Sequence, residues 1–131
     1  MYKKLDGDNI KCKSLYFVHY RDVYGVITRS ADFFVAATID DEVIGCVGIS
    51  NHNGNYFMLY IIVHPDHRRK GIASGLIKNA IKYVKDDGYL FTARVEKGEF
   101  PLSVFYKFGF QYKETMKSTR KKFSVLEMNL A

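Results

Sequence analysis

A chain of 131 residues is enough for one domain with a single core and too short for two. Hydrophobic residues make up 47% and charged residues 26%, with a formal net charge of +6. That balance is ordinary for a globular protein and favours anionic partners without requiring one. There is no run of apolar residues long enough to cross a membrane and no apolar signal segment in MYKKLDGDNIK. Cys12 and Cys46 are isolated, and these features together predict a cytoplasmic protein with reduced thiols.

YKKL reads as a short first strand. Residues 8–27 read as a helix through Leu15, Val18, Asp22 and Val23, although SLYFV is equally strand-like. FFVAATI (33–39), the turn DDE and VIGCVGI (43–49) predict a hairpin of buried strands. NHNGN is a second turn, and YFMLYIIV (56–63) is an almost unbroken apolar strand suited to the middle of a sheet. Ala73, Leu76, Ile77, Ala80, Ile81 and Val84 then share one face at helical spacing, with Lys78, Lys82 and Lys85 off that face and Gly88 as the stop. YLFTARV (89–95) is a further strand, Pro101 opens a short helix PLSVFYKF, and Gly109 ends it. FQYKE and FSVLEMNL predict a closing antiparallel hairpin. The order implies an α/β fold with mixed strand directions and one central crossover.

The chemistry gathers at HPDHRRKGIA (64–73), where a buried strand runs through a loop into a helix. Arg68, Arg69 and Lys70 sit at the positive pole of that helix, where cations are unfavourable unless an anion faces them. The free backbone N–H groups of such a loop suit a phosphate or pyrophosphate. Gly71 allows close approach, Ala73 keeps the first turn uncrowded and Ser74 adds a hydroxyl. The loop is neither a GxxxxGK[ST] phosphate loop nor a GxGxxG dinucleotide turn. His64 and His67 lack a third ligand nearby, so no metal site is expected.

IIVHPDHRRKGIASGLI resembles the acetyl-coenzyme A signature of the GNAT superfamily of N-acetyltransferases, through Val63, Pro65, Arg68, Gly71 and Ala73. FYKFGF (105–110) resembles the family's second signature, an aromatic helix ending in Gly-Phe, and the element order from residue 33 onward agrees. The resemblance implies a GNAT-type acyl-CoA N-acyltransferase fold: a mixed, mostly antiparallel sheet with splayed strands, flanked by helices. The whole chain would be a single such domain, with residues 1–32 as an abbreviated substrate-capping region. Acetyl-CoA is the implied co-substrate and no metal is implied. Its pyrophosphate maps onto Arg68, Arg69, Lys70, Gly71, Ile72, Ala73 and Ser74, and its pantetheine onto the main chain of Ile61, Ile62 and Val63. A backbone N–H near Val63 would polarise the acyl carbonyl.

The resemblance also implies a tyrosine that protonates the departing thiolate, and two counts place it differently. Counting from Val95 puts Glu99 where the family carries a coenzyme-contacting Asn, and gives Tyr106; counting back from Gly109 gives Phe105. Tyr106 is the candidate, because a phenol donates a proton and a phenyl ring does not. For the general base, the strand 56–63 offers only Tyr56 and Tyr60, with Glu42 and His64 as fallbacks; water, or no base, serves equally. The implied acceptor is a primary amine on a small molecule, amino acid or peptide, met by a monomer or homodimer. The alternatives are a nucleic-acid-directed or nucleic-acid-binding role for basic segments 67–70 and 117–122, and a CoA-binding fold without chemistry. The loop 113–122 supplies Lys113, Lys117, Arg120, Lys121 and Lys122, without interleaved aromatics on which bases would stack.

Overall fold

The computed structural model describes residues 1–19, 31–96, 98, 100–117 and 122–131. The elements are β1 (Tyr2–Asp6), α1 (Ile10–His19), β2 (Phe33–Ile39), β3 (Glu42–His52), β4 (Asn55–Val63), a single 3-10 turn (Pro65–His67), α2 (Ile72–Val84), β5 (Leu90–Glu96), α3 (Leu102–Tyr106), β6 (Gln111–Lys117) and β7 (Lys122–Asn129). The described strands form one sheet in the order β1-β2-β3-β4-β5-β7-β6. Every neighbouring pair is antiparallel except β4 with β5, which are parallel across the α2 crossover, as expected for this element order. The expected helix over 8–27 is present as α1; its remainder from residue 20 lies outside the described residues.

Local chemistry sets the hairpins. Asp40 and Asp41 have φ of 50° and 65°, and Asn53 and Gly54 have φ of 55° and 90°. Left-handed conformations at both central positions match the twist of the flanking strands, so each connection closes in two residues. The second turn is thus tighter than the five-residue NHNGN suggests, and β3 extends to His52 while β4 begins at Asn55.

The two faces of the sheet bury different helices. Ile72, Leu76, Ile77, Ala80 and Val84 of α2 pack on Val35, Val47, Ile49, Met58, Ile61, Phe91 and Ala93. On the opposite face Cys12, Leu15 and Tyr16 of α1 pack on Phe34, Ala36, Cys46 and Ile62. Gly45 lets α2 dock closely: a Cβ there would lie 3.2 Å from the Ile72 side chain and 3.2 Å from the Ile62 carbonyl oxygen.

One irregularity lies between β3 and β4. Val47 pairs with Ile61 and Ile49 with Met58, so β4 carries one residue more than β3 over that interval. An extra residue of this kind bends its strand and increases its twist. The parallel pairing of β4 with β5 begins at Asn55–Leu90 and stops at Met58–Ala93, at the same place. Beyond it β4 continues to Val63 beside β3 alone, and β5 continues to Glu96 beside β7 alone. The two central strands therefore splay apart.

Gly45→Val forces Ile72 off the sheet. Overpacking of this kind costs about 1–3 kcal/mol, read as a lower urea midpoint. Burial raises Cys46 well above the ordinary 9.0 of a thiol and Tyr16 well above 10.0, and burial together with the Asp87 hydrogen bond pushes Tyr56 up to about 12. Each group is neutral in the fold and ionises sooner when unfolded. Their contribution is whole below about pH 9 and is lost as pH rises through the folded values. Urea midpoints should fall from about pH 9 upward, and Tyr56→Phe should flatten the part of that fall between about pH 10 and 12.

Candidate active site

The gap between β4 and β5 is a cleft lined by Met58, Leu59, Ile61, Ala93, Arg94, Val95, Glu96, Phe100 and Phe105. Strand alternation divides this lining. Met58, Ile61, Ala93, Val95 and Phe105 belong to the core on the α2 face, so Arg94 and Glu96 point to the α1 face. Arg94, Glu96 and Phe100 are lining residues that the sequence reading does not single out. The alternation in TARVE, polar at 92, 94 and 96, is the signal that carries two of them.

At the C-terminal end of β4 the chain turns through the 3-10 segment into α2. His64 donates its backbone N–H to the Ile44 carbonyl at 2.7 Å, and its Nδ1 accepts from the Asp66 N–H at 3.1 Å. That ring therefore caps the turn, which ties it down as a candidate base. Arg68 Nε donates to the Val63 carbonyl at 3.1 Å and fixes the loop to the strand end. Arg69 adopts φ 64° and Gly71 φ 76°, both left-handed. A loop of this kind turns successive N–H groups toward one concavity.

Gly71 is the N-cap of α2, and no side chain caps the helix. The N–H groups of its first turn, at Ile72, Ala73 and Ser74, thus have no intrahelical acceptor, while Gly75 N–H begins the ladder by donating to the Gly71 carbonyl at 3.0 Å. There is no acidic residue in that first turn. A Cβ at Gly71 would meet nothing within 4 Å, so the space before the helix is open. Arg68, Arg69 and Lys70 are exposed around it, and among the described residues none of the three forms an ion pair. The Ile72 side chain is buried beneath Gly45, so only its main chain faces the concavity.

The short helix places the two candidate aromatics differently. Gly109, at φ 104°, donates its N–H to the Tyr106 carbonyl at 3.0 Å, and Phe110 N–H donates to the Phe105 carbonyl at 3.3 Å. These are the paired bonds of a Schellman stop, with its usual apolar contact: the Phe105 and Phe110 rings lie edge to face at 5.7 Å. The Gly-Phe pair therefore sets the helix phase and turns Phe105 inward to the cleft. Tyr106, one residue and about 100° further round, is 44% exposed and is not part of the lining.

The other candidates are dispersed. Tyr56 is buried and donates to Asp87 Oδ1 at 2.9 Å, at the end of β4 remote from Val63. Glu42 is exposed at the start of β3. Glu99 and the side chain of Tyr60 lie outside the described residues, as do Arg120 and Lys121. Lys113 is within β6 and pairs with Glu127 at 3.6 Å, while Lys117 and Lys122 face each other across the base of the last hairpin.

The sequence profile of the acetyltransferase (GNAT) family matches residues 3–110. An acetyltransferase of Pectobacterium atrosepticum is 35% identical over 63 residues, which are 47% of this chain and 43% of that protein. The matched stretch thus spans less than half the length of that relative. Among solved structures, the ribosomal-protein-S18-alanine N-acetyltransferase of Escherichia coli superposes with a TM-score of 0.82 at 12% identity, over 100% of this chain and 95% of the other. An aminoglycoside 6′-N-acetyltransferase complexed with coenzyme A gives 0.77 at 13% identity, over 100% and 97%. Identities this low carry the fold alone. No described helix is long and apolar enough to cross a membrane. With the family profile covering most of its length and the fold shared with these enzymes, the chain belongs to the GNAT acetyltransferase family.

Proposed function

We propose that this chain moves the acetyl group of acetyl-CoA to a primary amine. The observation that carries this is the junction of two features: an uncapped helix N-terminus behind left-handed Arg69 and Gly71, and a strand gap that opens beyond Met58–Ala93 and runs to the end of β4, where that loop begins. The first suits a pyrophosphate and the second suits a narrow acyl arm. The solved aminoglycoside 6′-N-acetyltransferase complexed with coenzyme A has the same fold, which supports the choice of coenzyme.

In this proposal the N–H groups from Arg68 to Ser74 hold the pyrophosphate and the guanidinium and ammonium groups of Arg68, Arg69 and Lys70 surround it. The unpaired edge of β4 from Ile61 to Val63 binds the pantetheine through its main chain, and a backbone N–H near Val63 polarises the carbonyl. Glu99 is a proposed contact to the coenzyme. The acceptor nitrogen adds to the thioester carbonyl, the C–S bond breaks, and the amine's proton leaves as the thiolate takes one up, giving the acetamide and free thiol. Apolar Met58, Ile61, Val95 and Phe105 keep bulk water from the thioester.

Phe105 forms the cleft wall and has no proton to give, so the thiolate is protonated by Tyr106 or by water at the open mouth. The exposure of Tyr106 favours water. Tyr106→Phe should then change kcat less than about threefold, whereas a fall of about a hundredfold would assign the proton to its phenol. Gly71→Glu places a carboxylate where phosphate would sit and strains a left-handed residue. Calorimetry should show acetyl-CoA affinity reduced by at least about a hundredfold with folding retained, because a Cβ there touches nothing. A wild-type protein that binds no acyl-CoA would overturn the proposal.

A further inference from the structure

The cleft has two chemically distinct sides. On the α2 face its walls are Met58, Ile61, Ala93, Val95 and Phe105, all apolar and buried. On the α1 face they include Arg94 and Glu96, alternate residues of β5. Their Cα atoms lie roughly 6.6 Å apart along the strand, with both side chains on the same face. Arg94 is exposed, and among the described residues it forms no ion pair. Across that face of the sheet Glu127 is opposite Thr92 and engages Lys113 at 3.6 Å, while Val125 is opposite Arg94 and Phe123 opposite Glu96. The guanidinium at the cleft therefore has an apolar neighbour and an open side.

We infer that the α1-face mouth of the cleft is the acceptor site, and that it takes an α-amino acid, with Arg94 receiving the carboxylate and Glu96 the amino group. The inference rests on the acyltransferase proposal and adds the class of acceptor. A planar guanidinium binds a carboxylate through two parallel hydrogen bonds, and a carboxylate accepts from an amino group. The charged ends of an α-amino acid are about 3 Å apart, and with a hydrogen bond of about 2.8 Å at each end they fit between side chains at alternate strand positions. The amino group is then at the gap where the acyl arm would end, on the side of the sheet opposite the apolar wall. A simple alkylamine offers nothing to Arg94 and leaves that charge unmatched.

The test measures thiol release at saturating acetyl-CoA, comparing the common L-α-amino acids with the corresponding amines lacking the carboxylate, such as L-phenylalanine with 2-phenylethylamine. Acetyl-CoA affinity is measured separately by calorimetry. At least one amino acid should exceed its amine by about tenfold or more in kcat/KM. Arg94→Gln should bring that ratio near one, mainly through KM for the amino acid, and Arg94→Lys should restore part of it. Glu96→Gln should raise KM for the same amino acid about tenfold. Acetyl-CoA affinity and melting temperature serve as controls for folding. The inference is overturned if the amines match the amino acids, if Arg94→Gln leaves the ratio intact, or if a protein that binds acetyl-CoA turns over no amino acid. In those cases the acyltransferase proposal stands, whereas absence of acetyl-CoA binding removes both.

Discussion

The extra residue of β4 is the constraint on which the rest of the site depends. Two strands in register would close the sheet along its full length, and every main-chain group of β4 would be satisfied by a neighbour. One unmatched residue between Met58 and Ile61 bends β4 away, and pairing with β5 ends at Met58–Ala93. The cleft, its apolar lining and the free edge of Ile61–Val63 all follow from that. The cost is a row of main-chain groups without a strand partner. Such groups are tolerated where water or a ligand can satisfy them.

The loop after β4 solves a second problem. Three cations before a helix are unfavourable to an isolated dipole. Here Arg68 spends its Nε on the Val63 carbonyl, and the left-handed Arg69 and Gly71 turn the chain so that backbone N–H groups, rather than side chains, define the concavity. Arg68, Arg69 and Lys70 remain exposed just before the helix. Docking of Ile72 under Gly45 keeps the helix start at a fixed height over the sheet, which ties the geometry of the loop to core packing.

The two faces of the sheet also separate the chemistry. The α2 face is apolar wherever it meets the cleft, and a thioester would be shielded there. The α1 face presents charge beside the same gap. Alternation along β5 makes the division: Ala93 and Val95 face one way, and Arg94 and Glu96 the other. The overall charge of +6 says little about either side, since what matters locally is which charges lie beside the gap.

The sequence by itself determined the element order, the α2 face and the glycine turn before α2, because each rests on local periodicity or on glycine and proline chemistry within a few residues. The strands at 33–39 and 56–63, the helix from Ile72 to Val84 and the turn at Gly71 were all legible on those grounds. Gly109-Phe110 was legible as a stop, and its Schellman bonds explain why counting back from it finds the inward aromatic. What only the tertiary structure decided is pairing across long distances. The bulge in β4 exists only relative to β3, and the end of pairing with β5 only relative to a strand some thirty residues on. Likewise Arg94 and Glu96 flank the cleft because strand register is fixed by partners that no local pattern specifies.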